Sequence, residues 1–107
     1  MLEKIKKLFR TKKDQEKFDP EFEYGEFYIF ENVPTYVEKE ELDEALTRHL
    51  KCDWGDIPEE GKELNEQALK NGGDLYSSYH TKRGKKFWIK TEGDRSQTVA
   101  FMHPEED

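Results

Sequence analysis

From Asp74 to Met102 the chain alternates: in DLYSSYHT, KKFWIKT and QTVAFM every second side chain falls on one side, with Lys82-Arg83-Gly84 and Gly93-Asp94-Arg95 at the breaks. A period of two marks a strand with one buried face, and short glycine-containing breaks suit hairpin turns. The stretch predicts an antiparallel meander in which Leu75, Ser77 and Tyr79 share an inner face with Phe87 and Ile89 and with Val99 and Phe101. Such a sheet needs a second layer to cover it. The rest of the chain has to supply that layer.

Two helices are predicted. Val37, Leu42, Ala45, Leu46, His49 and Leu50 fall on one helical face, with Glu38, Lys39, Glu41, Glu44 and Arg48 mostly outside it, and Thr35 can cap the start. The second runs from about Pro58 to Lys70, with Leu64, Ala68 and Leu69 facing the core. Asp56 and Glu59 have capping-box spacing, Pro58 suits a first turn, and Gly72 or Gly73 can take the left-handed conformation that ends a helix. Glu26-Phe27-Tyr28-Ile29-Phe30-Glu31, closed by Asn32 and Pro34, reads as one more strand. Leu2, Ile5, Leu8 and Phe9 have helical spacing among lysines, which predicts a short basic amphipathic helix or tail over residues 1–14. Residues 15–25 are polar, contain Pro20 and Gly25, and form a connector. The expected fold is α+β: a three- to four-stranded antiparallel sheet with two helices packed on one face, plus the basic N-terminal helix, with 26–107 as a single domain.

Composition bounds what this layout can do. With 33% apolar and 40% charged residues the chain lies near the boundary of disorder, and 14 aromatics supply the large buriable surfaces that bring it back. A single cysteine excludes an internal disulfide, and no apolar run approaches the roughly 20 residues of a bilayer-spanning helix. MLEKIKKLFR is too charged for the apolar segment of a secretory signal, so a cytoplasmic protein is expected. The net charge of -7 is uneven: residues 1–13 carry +5 and the remainder -12. So acidic a body repels phosphate backbones, which makes duplex DNA a poor partner and a basic protein surface a better one. Contact with an anionic membrane surface is open only to residues 1–13.

Two stretches offer chemistry. In KCDWGDIPEE, Asp53 and Asp56 flank Trp54 and Gly55, and His49 lies one helical turn before them. These residues read either as an acid–base or ligand site, or as a joint in which Trp54 packs between helix and sheet, Gly55 turns the chain and Asp56 caps the next helix. Two acids three residues apart are too sparse for a hard-cation loop, and the joint is the better reading. In TEGDRSQT the Arg95 guanidinium can grip a carboxylate or phosphate, or can be held by its own chain through Asp53 or Asp56. The second is expected of a lone arginine among acids. His49, His80 and His103 are scattered without metal-ligand spacing, and Ser77, Ser78 and Cys52 lack a nucleophile elbow or an evident base. No metal or cofactor is implied. Tyr28, Phe30, Tyr76 and Trp88 can form a stacking surface for a single nucleic-acid strand, with Lys82 to Lys86 as a basic patch, or can pack beneath the N-terminal helix.

RHLKCDWGD, ELNEQALKNGG, LYSSYH and KKFWIKTEGDRSQT together resemble a family of small plasmid-related proteins of unknown function carried by plasmids, phages and conjugative elements. The resemblance covers roughly residues 47–106, and Arg48, His49, Asp53, Trp54, Gly55, Asp56, Asn65, Ser77, Tyr79, Trp88, Asp94 and Arg95 are among the matches. Cys52 stands where the family has glycine, and Gly93 where it has alanine. The resemblance implies a mobile-element accessory protein and brings no activity with it.

Charge and the lack of a catalytic set point to a non-enzymatic protein acting through protein contacts made by its acidic surface. The alternative is a small binding module for a nucleotide or single strand centred on Asp53, Trp54, Asp56 and Arg95, with His49 beside them. A hydrolase or transferase using Asp53, Asp56 and His49 ranks third.

Overall fold

A computed structural model describes residues 20–104 and the backbone of residues 5–7. Strands β1 (Ile5–Lys7) and β2 (Glu26–Phe30) are followed by helices α1 (Val33–Tyr36), α2 (Lys39–Leu50) and α3 (Glu59–Asn71), then by strands β3 (Leu75–His80), β4 (Lys86–Thr91) and β5 (Gln97–Met102). The sheet order is β1-β2-β5-β4-β3. Class α+β, the meander and the two long helices are as expected from the sequence.

The expected antiparallel sheet is mixed. β3, β4 and β5 form the antiparallel meander, but β2 lies parallel to β5, with Glu26 opposite Gln97 and Ile29 opposite Ala100. Helices α1, α2 and α3 carry the chain from β2 to β3 at the far side of the sheet, the long crossover that a strand beside a parallel neighbour requires. The basic helix predicted over residues 1–14 is not seen at its centre. Ile5–Lys7 pairs antiparallel with β2, Lys7 opposite Tyr28, and the remainder of that segment lies outside the described residues. A helix this short is marginal in isolation, whereas the open side of β2 offers a ready ladder of backbone donors and acceptors.

The core lies between α2 and the inner face of the sheet. Leu42, Ala45, Leu46 and Leu50 of α2 meet Phe27, Ile29, Tyr79, Phe87, Ile89, Ala100 and Met102. A second cluster, Trp54, Ile57, Ala68 and Leu75, lies where α3 crosses β3. Phe22 and Tyr24, from the expected connector, pack against this core. In β5 the phase is inverted relative to expectation. Thr98, Ala100 and Met102 align with the inward Thr91, Ile89 and Phe87, so Val99 and Phe101 go to the outer face with Lys90 and Trp88. Both alternate sets of TVAFM are almost wholly apolar, so alternation carries no information on which faces in.

α2 begins two residues later than expected. Glu38 is its N-cap, in a reciprocal capping box with Glu41, and Thr35 lies inside the separate helix α1. In α3 Leu64 points outward at 65% exposure, and Asn65 takes the inward position with Ala68. Among the described residues no helix is long and apolar enough to cross a membrane.

Candidate functional site

Helix α2 ends by donating the backbone N–H of Cys52 to the His49 carbonyl (3.0 Å) and that of Asp53 to the Arg48 carbonyl (2.8 Å). This paired closure places its left-handed residue, normally glycine, at Cys52, whose φ is 66°. Asp53 then accepts from Arg48 Nε at 2.8 Å and Nη2 at 3.3 Å, and from the Gly55 N–H at 3.2 Å. The hydrogen bond to Asp53 holds the Arg48 guanidinium above its ordinary value, and Arg48 holds Asp53 below the usual carboxylate range. Arg48 also lies 4.8 Å from the centre of the Tyr79 ring, whose hydroxyl donates to the Asp53 carbonyl at 2.6 Å. Burial pushes the Tyr79 phenol up, so it remains a donor.

Trp54 is buried and donates Nε1–H to Glu66 at 3.3 Å. Gly55 forms a single parallel bridge with Ser78. Its φ is 71°, and a Cβ there would lie 2.0 Å from the Ser78 carbonyl oxygen, so only glycine fits. Asp56 does not cap α3. That helix starts after Pro58 without a side-chain cap, and the Asp56 carboxylate instead accepts from His80 Nδ1 at 2.8 Å on the surface. The pairing strand has drawn Asp56 away from the helix end: its N–H donates to the Ser78 carbonyl at 2.7 Å, while the Ser78 N–H donates to Trp54.

His49 is wholly buried, flanked by Phe22 with ring centres 5.4 Å apart and by Trp54 at 5.6 Å. Nδ1 meets Ser77 Oγ, and Nε2 meets Thr91 Oγ1 at 2.9 Å. Thr91 Oγ1 contacts Thr98 Oγ1 at 2.8 Å, and Thr98 donates to the Tyr24 carbonyl at 2.8 Å. The last link sets the direction of all the others. Thr98 has spent its hydrogen on a carbonyl, so Thr91 donates to Thr98, His49 Nε2–H donates to Thr91, and Ser77 donates to Nδ1. The ring is therefore the neutral Nε2–H tautomer, and burial takes its pKa down to about 3. Both ring nitrogens are thus engaged by buried hydroxyls of the sheet.

Arg95, at φ 62°, reaches neither Asp53 nor Asp56. Nη1 donates to the carbonyls of Gly73 at 2.7 Å and Glu92 at 3.1 Å, and Nη2 to Ala68 at 3.2 Å. It thus closes the C-terminal end of α3, where unpaired carbonyls and the negative end of the helix dipole favour a cation. Its guanidinium stands 6.0 Å over Phe22, which in turn stacks on Trp54 at 6.2 Å.

Sequence reasoning missed Asn65. Buried, it donates Nδ2–H to the Tyr76 carbonyl at 2.7 Å and accepts the Tyr76 N–H at 3.0 Å, as a neighbouring strand would. Asn65 and the Trp54–Asp56 segment together occupy the free side of β3 at Tyr76 and Ser78. The available signal was an amide at an inward helical position. Of the expected site residues, His49, Trp54 and Arg95 meet around Phe22, whereas Asp53 faces Arg48 and Asp56 faces His80. Burial, then Glu66 and Glu21, push the Cys52 thiol up, away from the thiolate form.

Three concavities remain beside these residues, and one of them, of about 510 Å³, is lined by residues 20–25 and Arg95. A hollow of about 190 Å³ lies over Glu41, Glu44, Arg48 and His80. A larger apolar groove of about 510 Å³ runs between α3 and the end of β3, past Leu64, Tyr76 and Trp88. Among the described residues no three His, Cys, Asp or Glu side chains gather as a metal site requires. Comparison of the chain with protein-family models, curated proteins and solved structures produced no match.

Proposed function

We propose that the chain is a non-enzymatic accessory protein of a mobile element, working in the cytoplasm by docking its acidic helical layer against a basic protein. The observation that carries this reading is the outward side of α2 and α3, which exposes Glu40, Glu44, Glu59, Glu60, Glu63 and Glu66. Residues 38–71 sum to -6. Glu40 and Glu44, like Glu59 and Glu63, are like charges one turn apart, an arrangement costing about 0.2–0.5 kcal/mol a pair that folding alone would not favour. Glu59 and Glu60 gain something back at the start of α3, but Glu44 and Glu63 do not. The resemblance to plasmid-related proteins supports the mobile-element setting. The alternative of a nucleotide held by Asp53, Trp54, Asp56 and Arg95 draws no support from groups already bonded within the protein.

The test is affinity capture from nuclease-treated host extract, comparing the natural chain with the E40K/E44K/E63K triple variant. Basic proteins should be retained by the first, lost with the second and released by about 0.5 M salt, where the screening length falls to a few ångströms. Enrichment of nucleic acid alone, or of the same proteins by both chains, contradicts the proposal.

A further inference from the structure

The helices cover one face of the sheet, and the other face has a different character. On β4 the outward side chains are Lys86, Trp88 and Lys90, a cation on either side of an indole. Tyr76, 37% exposed, meets Trp88 edge-on at 6.3 Å and lies under the Lys90 ammonium, 5.7 Å from the ring centre. Phe101, opposite Trp88 in the register, continues the aromatic row to Phe30 at 5.9 Å. The β3–β4 hairpin, residues 75–91, contains Lys82, Arg83, Lys85, Lys86 and Lys90 and not one aspartate or glutamate. Of these five, Lys86 and Lys90 flank the rings, while Arg83 and Lys85 turn towards Tyr36 of α1; Tyr76 is the exposed ring, and half-buried Trp88 stacks on His103 at 6.2 Å. The 510 Å³ groove opens next to Tyr76 and Trp88 and has the size of a small-ligand pocket.

We infer that this face binds single-stranded nucleic acid, with an unpaired base stacked on Tyr76 where it meets Trp88 and phosphates along Lys86 and Lys90. Charge complementarity selects a polyanion, and flat rings between cations select one whose bases are free to stack. A duplex hides its base faces, and the acidic helical layer repels its second strand. Asp74 and Glu92, each 3.6 Å from Lys90, bound the site at the far end of β4. The inference concerns the face that carries Tyr76 and Trp88, which α3 borders across the groove through Leu64, and it does not depend on a partner for the acidic helical surface.

Fluorescence anisotropy with labelled oligothymidylate, oligouridylate and a mixed-sequence duplex tests it. The single strands should bind at least about tenfold tighter than the duplex and quench tryptophan emission, since stacking on one ring is worth about 1–3 kcal/mol. Lys86→Glu and Tyr76→Ser alter exposed side chains, so circular dichroism should be unchanged while affinity drops about tenfold in each. Lys86→Glu should also make the salt slope shallower by about 0.7 or more. No saturable binding, equal or tighter duplex binding, or affinity unmoved by both substitutions overturns the inference. So does elution as a dimer that Tyr76→Ser disperses without any oligonucleotide binding, because a second copy would then be the occupant.

Discussion

Cys52 holds a left-handed backbone conformation, φ 66°, at the closure of α2, where a side chain costs roughly 1–2 kcal/mol that glycine avoids. Part of that gain is returned because glycine adds freedom to the unfolded chain. Cys52→Gly is therefore expected to stabilise by about 1 kcal/mol at most, raising Tm by about 4 °C in a domain of this size. Scanning calorimetry decides it. A lower Tm would mean that the thiol's packing against the Trp54 cluster outweighs the strain. Gly55 and Gly25 are different. Each would place a Cβ within 2.1 Å of a carbonyl oxygen, Ser78 for the first and Ser96 for the second, so no side chain is tolerated at either.

Helix α3 and strand β3 are joined by an amide acting as a strand. Asn65→Leu conserves volume and would be harmless, or even favourable, at an ordinary core position. Here it strips the partners from the Tyr76 N–H and C=O together, which should cost about 2–4 kcal/mol. Urea unfolding of the two chains measures this, and a difference under about 0.5 kcal/mol would show that water replaces the amide. The same residue explains where the sequence was legible. β3 and β4 could be placed because their alternate residues contrast in polarity, and α2 because its apolar face is continuous. The face of α3 was misjudged because polarity argues for Leu64 inward, whereas the unpaired backbone of β3 calls for Asn65. The Asp53–Asp56 stretch could be read as a joint from its Trp-Gly centre. The partners of Asp56 and Arg95 could not, since they depend on which strand and which helix end the fold brings alongside.

One buried ring and one surface ion pair shape how the protein as a body responds to acid. The folded state keeps His49 neutral down to about pH 3, while the unfolded chain protonates it near 6.5. The unfolded state therefore binds more protons between these values. Stability contributed by His49 is complete above pH 6.5 and drains away as the pH falls, with a slope approaching about 1.4 kcal/mol per unit. Asp53, held low by Arg48, adds loss in the same direction only in the carboxylate range below. Urea midpoints at pH 7, 6 and 5 should fall steadily, and His49→Gln, though less stable at pH 7, should flatten that decline. An equal decline in both chains would place the acid sensitivity elsewhere.

The sealing of β3 also has a consequence for crowding at high protein concentration. A strand at the margin of a sheet is ordinarily a template on which another molecule can zip up, the first step towards fibrils. At Tyr76 and Ser78 that template is already occupied by the protein's own amide and its own glycine bridge. Among the described residues, the margin left to template an intermolecular ladder is the opposite one, at the three-residue strand Ile5–Lys7.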